Sequence, residues 1–212
     1  MMNIMRHLLL RVSTYIFPIF GTPLLIWAWW RIANGNWRLV ALVIAVPLLF
    51  GYFTGFVATR VLKRWRMTSG WRIGGAYVHH GFIYASKMAF VLLLAAHDPM
   101  AIRTWFDFIS VALLVGAATA FGGWRHDLQA IRAGKIEFTG LDTPAAEHAL
   151  RSFAPPSYFT VGATYSVVSI AGWQFSSAQP GMFVWVLLGS LAALCIVPSL
   201  VYFAADVSRT AR

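Results

Sequence analysis

Six apolar stretches, each about as long as a lipid bilayer is thick, constrain this chain more than any other feature. The hydrocarbon core of a bilayer is about 30 Å thick, which about 20 residues cross as a helix. We therefore expect an all-α, polytopic integral membrane protein, a single domain built as a bundle of about six transmembrane helices. The spans are predicted at residues 13–31, 39–59, 75–96, 104–123, 158–176 and 181–205.

The composition excludes an ordinary soluble protein. Hydrophobic residues make up 59% of the 212 residues and charged residues 11%. Soluble domains have roughly 45–50% apolar and about 25% charged residues. The single cysteine, Cys195, also excludes a disulfide or a multi-cysteine metal site within one chain.

The basic residues are unevenly divided between the two sides of the predicted membrane. Of the 17 Lys and Arg residues, 13 lie on the side of the N-terminus, three on the opposite side, and Lys87 within a span. Since cytoplasmic loops are enriched in Lys and Arg, both termini are predicted to be cytoplasmic. Most of the net charge of +10 is thereby explained by topology, and no nucleic-acid partner is expected. The excess of Arg over Lys suggests a bacterial protein, and hence the inner membrane.

The first apolar stretch is expected to remain as a helix and not to be cleaved as a signal peptide. It leads into Trp27, Trp29 and Trp30, where a signal peptide would have a small-residue cleavage site. It also contains Pro18 and Pro23, which predict a kink or an unwound turn. Interrupted helices of this kind form binding sites in many transporters.

Only the segment 124–157 is long enough outside the spans to have structure of its own. It is predicted to be a cytoplasmic loop with short helices, the first of which ends at Gly134. Thr143 is expected to cap the second, and Pro155 and Pro156 are expected to end it. The fifth span follows and is rich in small polar residues, so we expect neighbouring helices to enclose it.

Small residues recur every four positions in five of the spans. Such faces allow helix backbones to approach closely in lipid. They indicate either packing within the bundle or the docking of another subunit. The faces are Gly51 and Gly55, Gly81, Ala85 and Ala89, Gly116 and Ala120, Gly162 and Ser166, and Gly189 and Ala193.

A polar stripe in the third span is the first candidate site, for a solute or an ion. Ionisable side chains inside a bilayer are costly, which makes Lys87 a functional candidate. His80, Tyr84 and Lys87 follow the spacing i, i+4, i+7 and share one helix face. Asp107 in the fourth span is the predicted acidic partner. The lysine is interpreted either as a contact that holds the bundle together or as the lining of a cavity for an anion, a proton or a lipid headgroup.

Histidines and carboxylates near the cytoplasmic side form the second candidate site. The start of the third span and the end of the fourth should lie at similar depth, and the loop helix could fold over them. Imidazoles and carboxylates at one interface suit acid–base chemistry or metal binding. The catalytic candidates are His126, Asp127, Glu147 and His148, and the weak metal-ligand candidates are His79, His80, His126 and His148. The sequence itself requires no cofactor.

Three functions are compatible with these features. The favoured one is a non-catalytic accessory, assembly or docking subunit of a larger membrane complex, because the soluble part is small and no catalytic signature is present. Its partners would be the lipid bilayer and another membrane protein or a second copy of the chain. The alternatives are a small transporter or solute-binding subunit that uses the Lys87 stripe, and an interfacial enzyme that acts on a lipid or isoprenoid.

Overall fold

The chain folds into six helices, described in a computed structural model for residue 8, residues 10–68 and residues 70–210, the last five by backbone only. The helices are α1 (Val12–Ile32), α2 (Trp37–Val61), α3 (His80–Ala95), α4 (Trp105–Arg132), α5 (Thr143–Ala178) and α6 (Phe183–Thr210). Single 3₁₀ turns at Pro99–Ala101 and Pro180–Met182 precede α4 and α6. The predicted all-α class is confirmed.

Four of these helices are long and apolar enough to cross a membrane. They are α1, α2, α4 and α6 together with its preceding 3₁₀ turn. Helix α3 is apolar but has only 16 residues, and α5 has 36 residues but is less apolar. Four such helices are typical of an integral membrane protein.

Helix α1 is interrupted in its first half, as its prolines predict. Residues Val12–Gly21 form a π-helix that contains Pro18, and regular α-helix begins at Thr22. The Thr22 hydroxyl donates a hydrogen bond to the Pro18 carbonyl oxygen at 2.7 Å.

The predicted start of the third span at residue 75 is wrong. Ala76–Tyr77 forms a short strand, β3, which pairs antiparallel with β2 (Arg72–Ile73), and α3 begins only at His80. A second antiparallel pair joins β1 (Trp65–Met67) to β4 (Ile136–Phe138). This pairing brings the α2–α3 and α4–α5 connections together at one end of the bundle.

The segment 124–157 is not a loop with short helices. Helix α4 continues without a break to Arg132, and α5 begins at Thr143, so most of the segment belongs to two long helices. The N-cap of α5 is Asp142 and not Thr143, because the Asp142 side chain accepts the Ala145 N–H at 2.9 Å.

Pro155 and Pro156 do not end the helix but lie inside α5. A proline removes the hydrogen bond to the carbonyl four residues earlier. Those carbonyls belong to Arg151 and Ser152, and both residues are exposed. The packing of α5 against four other helices outweighs the loss of these hydrogen bonds.

Helix α5 lies among the other helices, with contacts to α2, α3, α4 and α6. Its Tyr165 is fully buried and donates a hydrogen bond to the Val43 carbonyl at 2.9 Å, which ties α5 to α2. Helix α1 is tied to α3 in the same way, by Trp29 and the Ala89 carbonyl at 3.1 Å. The small polar residues that α5 carries are thus covered by protein.

The core is divided into two apolar clusters. The larger one joins α1, α2, α3, α5 and α6 around residues such as Leu42, Leu92 and Ile170. The smaller one lies at the end where the strands pair, around Met67, Leu128 and Leu150.

Most of the small-residue faces are filled by neighbouring helices. A methyl group added at Gly81 would lie 2.5 Å from the Leu48 carbonyl oxygen, and one at Gly162 would lie 2.6 Å from that of Val115. Gly189 differs, because open space surrounds it. The face around Gly189 is therefore outside the bundle.

Candidate functional site

Polar side chains from three helices meet between the two apolar clusters. Tyr84 packs against the larger cluster and Tyr158 against the smaller one. We call the group the polar layer; its members are His80, Tyr84 and Lys87 of α3, His126 and Asp127 of α4, and Tyr158 of α5.

Asp127 and Tyr158 are the part of the layer that is directly bonded. The Tyr158 hydroxyl donates a hydrogen bond to the Asp127 carboxylate. One helical turn before Asp127, Gly123 leaves room for the tyrosine ring, since an added methyl group would lie 2.9 Å from it. The absence of a side chain at this position on α4 therefore allows Tyr158 to reach the carboxylate.

Lys87 and Asp127 carry opposite charges across the layer. Their charges interact, and the Lys87 charge also acts on His80 and His126. No ion pair within 4.0 Å joins Lys87 to Asp127, although both are among the residues that the structure describes. The two opposite charges therefore influence each other within the bundle without forming a direct ion pair.

His80 is the most deeply buried member of the layer, with 6% of its surface exposed. Its ring lies 5.4 Å from that of Tyr84 and 5.8 Å from that of Trp65. Gly55 of α2 provides the space for the ring, because a methyl group there would lie 2.7 Å from it. The His80 Nδ1 atom makes no hydrogen bond within the described part of the chain.

His126 connects the polar layer to the outside. Its Nδ1 atom lies 3.3 Å from the Ser13 hydroxyl, and its ring borders a cavity of about 810 Å³ at the strand end of the bundle. His79, in contrast, points towards α1, where its Nε2 atom lies 2.8 Å from the Thr14 carbonyl oxygen. His79 therefore faces α1, whereas the next residue, His80, faces α2.

Asp107 does not meet Lys87, contrary to the expectation from the sequence. Its carboxylate accepts hydrogen bonds from the backbone N–H groups of Arg103 and Thr104 at 3.0 and 2.8 Å. The Thr104 side chain in turn accepts the Asp107 N–H, so the two residues form a capping box at the exposed start of α4.

The catalytic candidates separate into two pairs. His126 and Asp127 belong to the polar layer, whereas Glu147 lies at the surface of α5 with Arg132 and Arg151. Two hydrogen bonds from Arg132, at 2.9 and 2.7 Å, lower the pKa of the Glu147 carboxyl, and the charges of Arg132 and Arg151 add to the effect. His148 is exposed beside it. The expected folding of Glu147 and His148 over His126 is not observed.

The metal-ligand candidates do not converge either. Among the residues that the structure describes, no group of three or more His, Cys, Asp or Glu side chains is arranged to hold a metal ion. Of these four histidines, His80 and His126 belong to the polar layer, His79 contacts α1, and His148 is exposed.

Tyr158 was missed by the sequence analysis, and so was Thr54 of α2, whose hydroxyl lies beside that of Tyr84. Both omissions have one origin. The apolar run of the fourth span ends near Gly123, so Asp127 was assigned to a loop, and the fifth span was not considered as the source of its partner. The signal that would have found Tyr158 is the capacity of both helices to continue past their apolar runs.

Comparison of the chain with protein-family models, with curated protein sequences and with solved structures gave no match. The chemistry that the polar layer can perform therefore follows from the arrangement of its own side chains.

Proposed function

We propose that the protein is a small proton-transporting membrane protein of the bacterial cytoplasmic membrane, with six spans and both termini cytoplasmic. Four helices have the length and apolar composition for crossing a bilayer. The shorter α3 and the less apolar α5 complete the six, since helices covered by other helices need less apolar surface than those facing lipid. The basic connections that meet at the β1–β4 pair favour this end as the cytoplasmic one.

The observation that carries the proposal is that Lys87 and Asp127 carry opposite charges within the bundle but do not form an ion pair. Ionisable groups at such positions mark ion pathways and proton relays in membrane proteins. Every other member of the polar layer has an imidazole or a phenol, and both groups take part in proton transfer. Tyr158 holds one side of the Asp127 carboxylate, and His126, the residue before it, lines the cavity. In the proposed relay His126 is the outer group, and Asp127 and Lys87 are the inner ones.

The test is a proton-flux measurement on the purified full-length protein. Protein in vesicles of phosphatidylethanolamine and phosphatidylglycerol, loaded with a pH-sensitive dye, is driven by a valinomycin potassium potential. The wild-type protein is expected to acidify or alkalinise the lumen faster than protein-free vesicles, and Lys87→Met to reduce the rate to theirs. Lys63→Gln is the matched control, because Lys63 is exposed and outside the polar layer.

Two results would overturn the proposal. One is a wild-type flux no higher than that of protein-free vesicles. The other is a wild-type rate in both Lys87→Met and Asp127→Asn. The second variant retains the size of the side chain and an acceptor for Tyr158, so it remains informative if Lys87→Met does not fold.

A second candidate function is the accessory or docking subunit of a membrane complex. The observation in its favour is the open space around Gly189 on α6, whose membrane segment has 17% of its residues buried. Purification in mild detergent tests it. A second copy or another subunit that is retained by the wild type and lost in Gly189→Leu supports this function, and a monomer without a co-purifying protein contradicts it.

A further inference from the structure

The cavity next to His126 has the volume and the walls of a ligand-binding pocket. It measures about 810 Å³, and known small-molecule sites occupy about 300–1,000 Å³. Its lining comes from the start of α1, the end of α4 and the β1, β3 and β4 strands. One cavity is thus built from segments that are far apart in the sequence, and the β1–β4 pairing holds them together.

The charge of the lining is entirely positive. Arg11 and Lys135 line the cavity together with His126, and no Asp or Glu does. Glu137, two residues beyond Lys135, does not line the cavity and pairs with Arg66 at 2.8 Å. Asp127, which directly follows His126, accepts the Tyr158 hydroxyl and does not line the cavity either. Neither cation makes an ion pair with a carboxylate in the described part of the chain.

The remaining walls are apolar or aromatic. Tyr15 and Tyr77 line one side with their rings 5.7 Å apart. Gly70 lies at this side with a φ of 86°, and a methyl group there would lie 2.7 Å from the Tyr15 hydroxyl. A glycine at position 70 therefore leaves the space that the Tyr15 side chain occupies. A lining of this kind suits a ligand that is anionic at one end and apolar at the other.

The cavity is continuous with an exposed apolar part of α1. Arg11 and Tyr15 line the cavity, while Ile16, Ile19 and Phe20 on the same helix are exposed. An amphiphilic ligand seated in the cavity would find this apolar strip beside its anionic group.

From this geometry we infer that the cavity binds a phosphate group, either that of an anionic lipid headgroup or free inorganic phosphate. Arg11 and Lys135 supply charge-assisted hydrogen bonds to phosphate oxygens, and His126 and the tyrosine hydroxyl are further donors. A concave site lined by one sign of charge also concentrates the oppositely charged ligand. The site shares His126 with the polar layer, but its two cations, Arg11 and Lys135, lie outside that layer.

Binding to the detergent-solubilised full-length protein tests the inference. The probes are dihexanoyl phosphatidic acid, inorganic phosphate and, as a zwitterionic control, dihexanoyl phosphatidylcholine, each titrated by microscale thermophoresis. We expect the Arg11→Gln/Lys135→Gln double variant to weaken binding of the anionic probe by at least about tenfold. The matched control is Lys63→Gln/Arg125→Gln, which removes two exposed cations outside the cavity.

The outcomes separate the two sources of phosphate. Tighter binding of phosphatidic acid than of inorganic phosphate identifies a lipid headgroup. Equal affinity for the two probes identifies free phosphate. Both conclusions require that the Arg11→Gln/Lys135→Gln variant loses the binding. Ala133→Phe, which places a bulky ring in the cavity wall without changing its charge, should weaken binding too. The inference is overturned if neither anionic probe binds, or if the cavity and control variants bind them equally. Lys87→Met is expected to bind normally, so a failure of proton transport leaves this result readable.

Discussion

The two ends of α4 each carry an aspartate, and the two carboxylates have different surroundings. Asp107 lies at the start of the helix and accepts hydrogen bonds from its own first turn. Asp127 lies about 30 Å further along the axis, accepts a hydrogen bond from the Tyr158 hydroxyl and interacts with the charge of Lys87. The same group thus completes a helix end in one place and belongs to a polar layer in the other. What distinguishes them is the helices that pack alongside, since Asp127 lies against α3 and α5.

The largest effect is expected from breaking the charge balance at Asp127. Lys87→Met leaves the Asp127 carboxylate without the opposite charge across the layer, and the expected loss in free energy of unfolding is about 2–3 kcal/mol, the upper part of the range typical of single substitutions. The double variant Lys87→Met/Asp127→Leu removes both charges and should recover most of this loss. Unfolding in mixed micelles with increasing SDS measures both free energies. If the double variant is no more stable than Lys87→Met, the two charges are not coupled.

A smaller effect is expected from moving α5 away from α4. The methyl group of Gly162→Ala would lie 2.6 Å from the Val115 carbonyl oxygen, so the helices must separate near Tyr158. Overpacking of this kind costs about 1–3 kcal/mol. Gly189→Ala, in open space, is the control and should be neutral or slightly stabilising. The same SDS titration compares them, and equal stability of the two variants would contradict the close packing at Gly162.

At the other end of α4, Asp107→Ala is expected to cost about 1 kcal/mol, because it removes the carboxylate side of the capping box. The free energy of unfolding should fall, while the proton flux per folded molecule should not change. A flux that falls with Asp107→Ala would show that the start of α4 also contributes to transport.

The smallest effect concerns Glu147, whose ion-pair partners Arg132 and Arg151 are exposed at the surface. Arg132 keeps the pKa of Glu147 below its usual value of 4.5, so its contribution to stability is complete above that pH. It is lost as the pH falls through the lower, folded-state pKa. Since exposed pairs contribute less than about 1 kcal/mol, Glu147→Gln should slightly reduce the melting temperature at pH 7 and leave it unchanged at strongly acidic pH. A pH-independent difference would contradict this assignment.

Hydrophobic runs predicted the apolar helices well, because length and composition decide whether a segment can be covered by lipid. They failed where other forces decide the helix ends. Residues 76–77 pair as a strand although their composition is apolar, and Pro155 and Pro156 lie inside a long helix that packs against four others.

The site was accessible to sequence reasoning in part. The spacing of His80, Tyr84 and Lys87 depends only on the geometry of one helix, and these residues lie on one face of α3. The partner across the layer depends on how two helices align, which no local pattern contains. Distance from the edge of the apolar run selected Asp107, whereas the packing of α4 against α3 and α5 selects Asp127.

The most direct test of the account is a side-by-side flux measurement on Asp127→Asn and Asp107→Asn in the same vesicles. Each variant removes one negative charge from α4, so the two are matched in chemistry and differ only in position. We expect Asp127→Asn to reduce proton flux to the level of protein-free vesicles and Asp107→Asn to retain the wild-type rate. Equal rates in the two variants would contradict it.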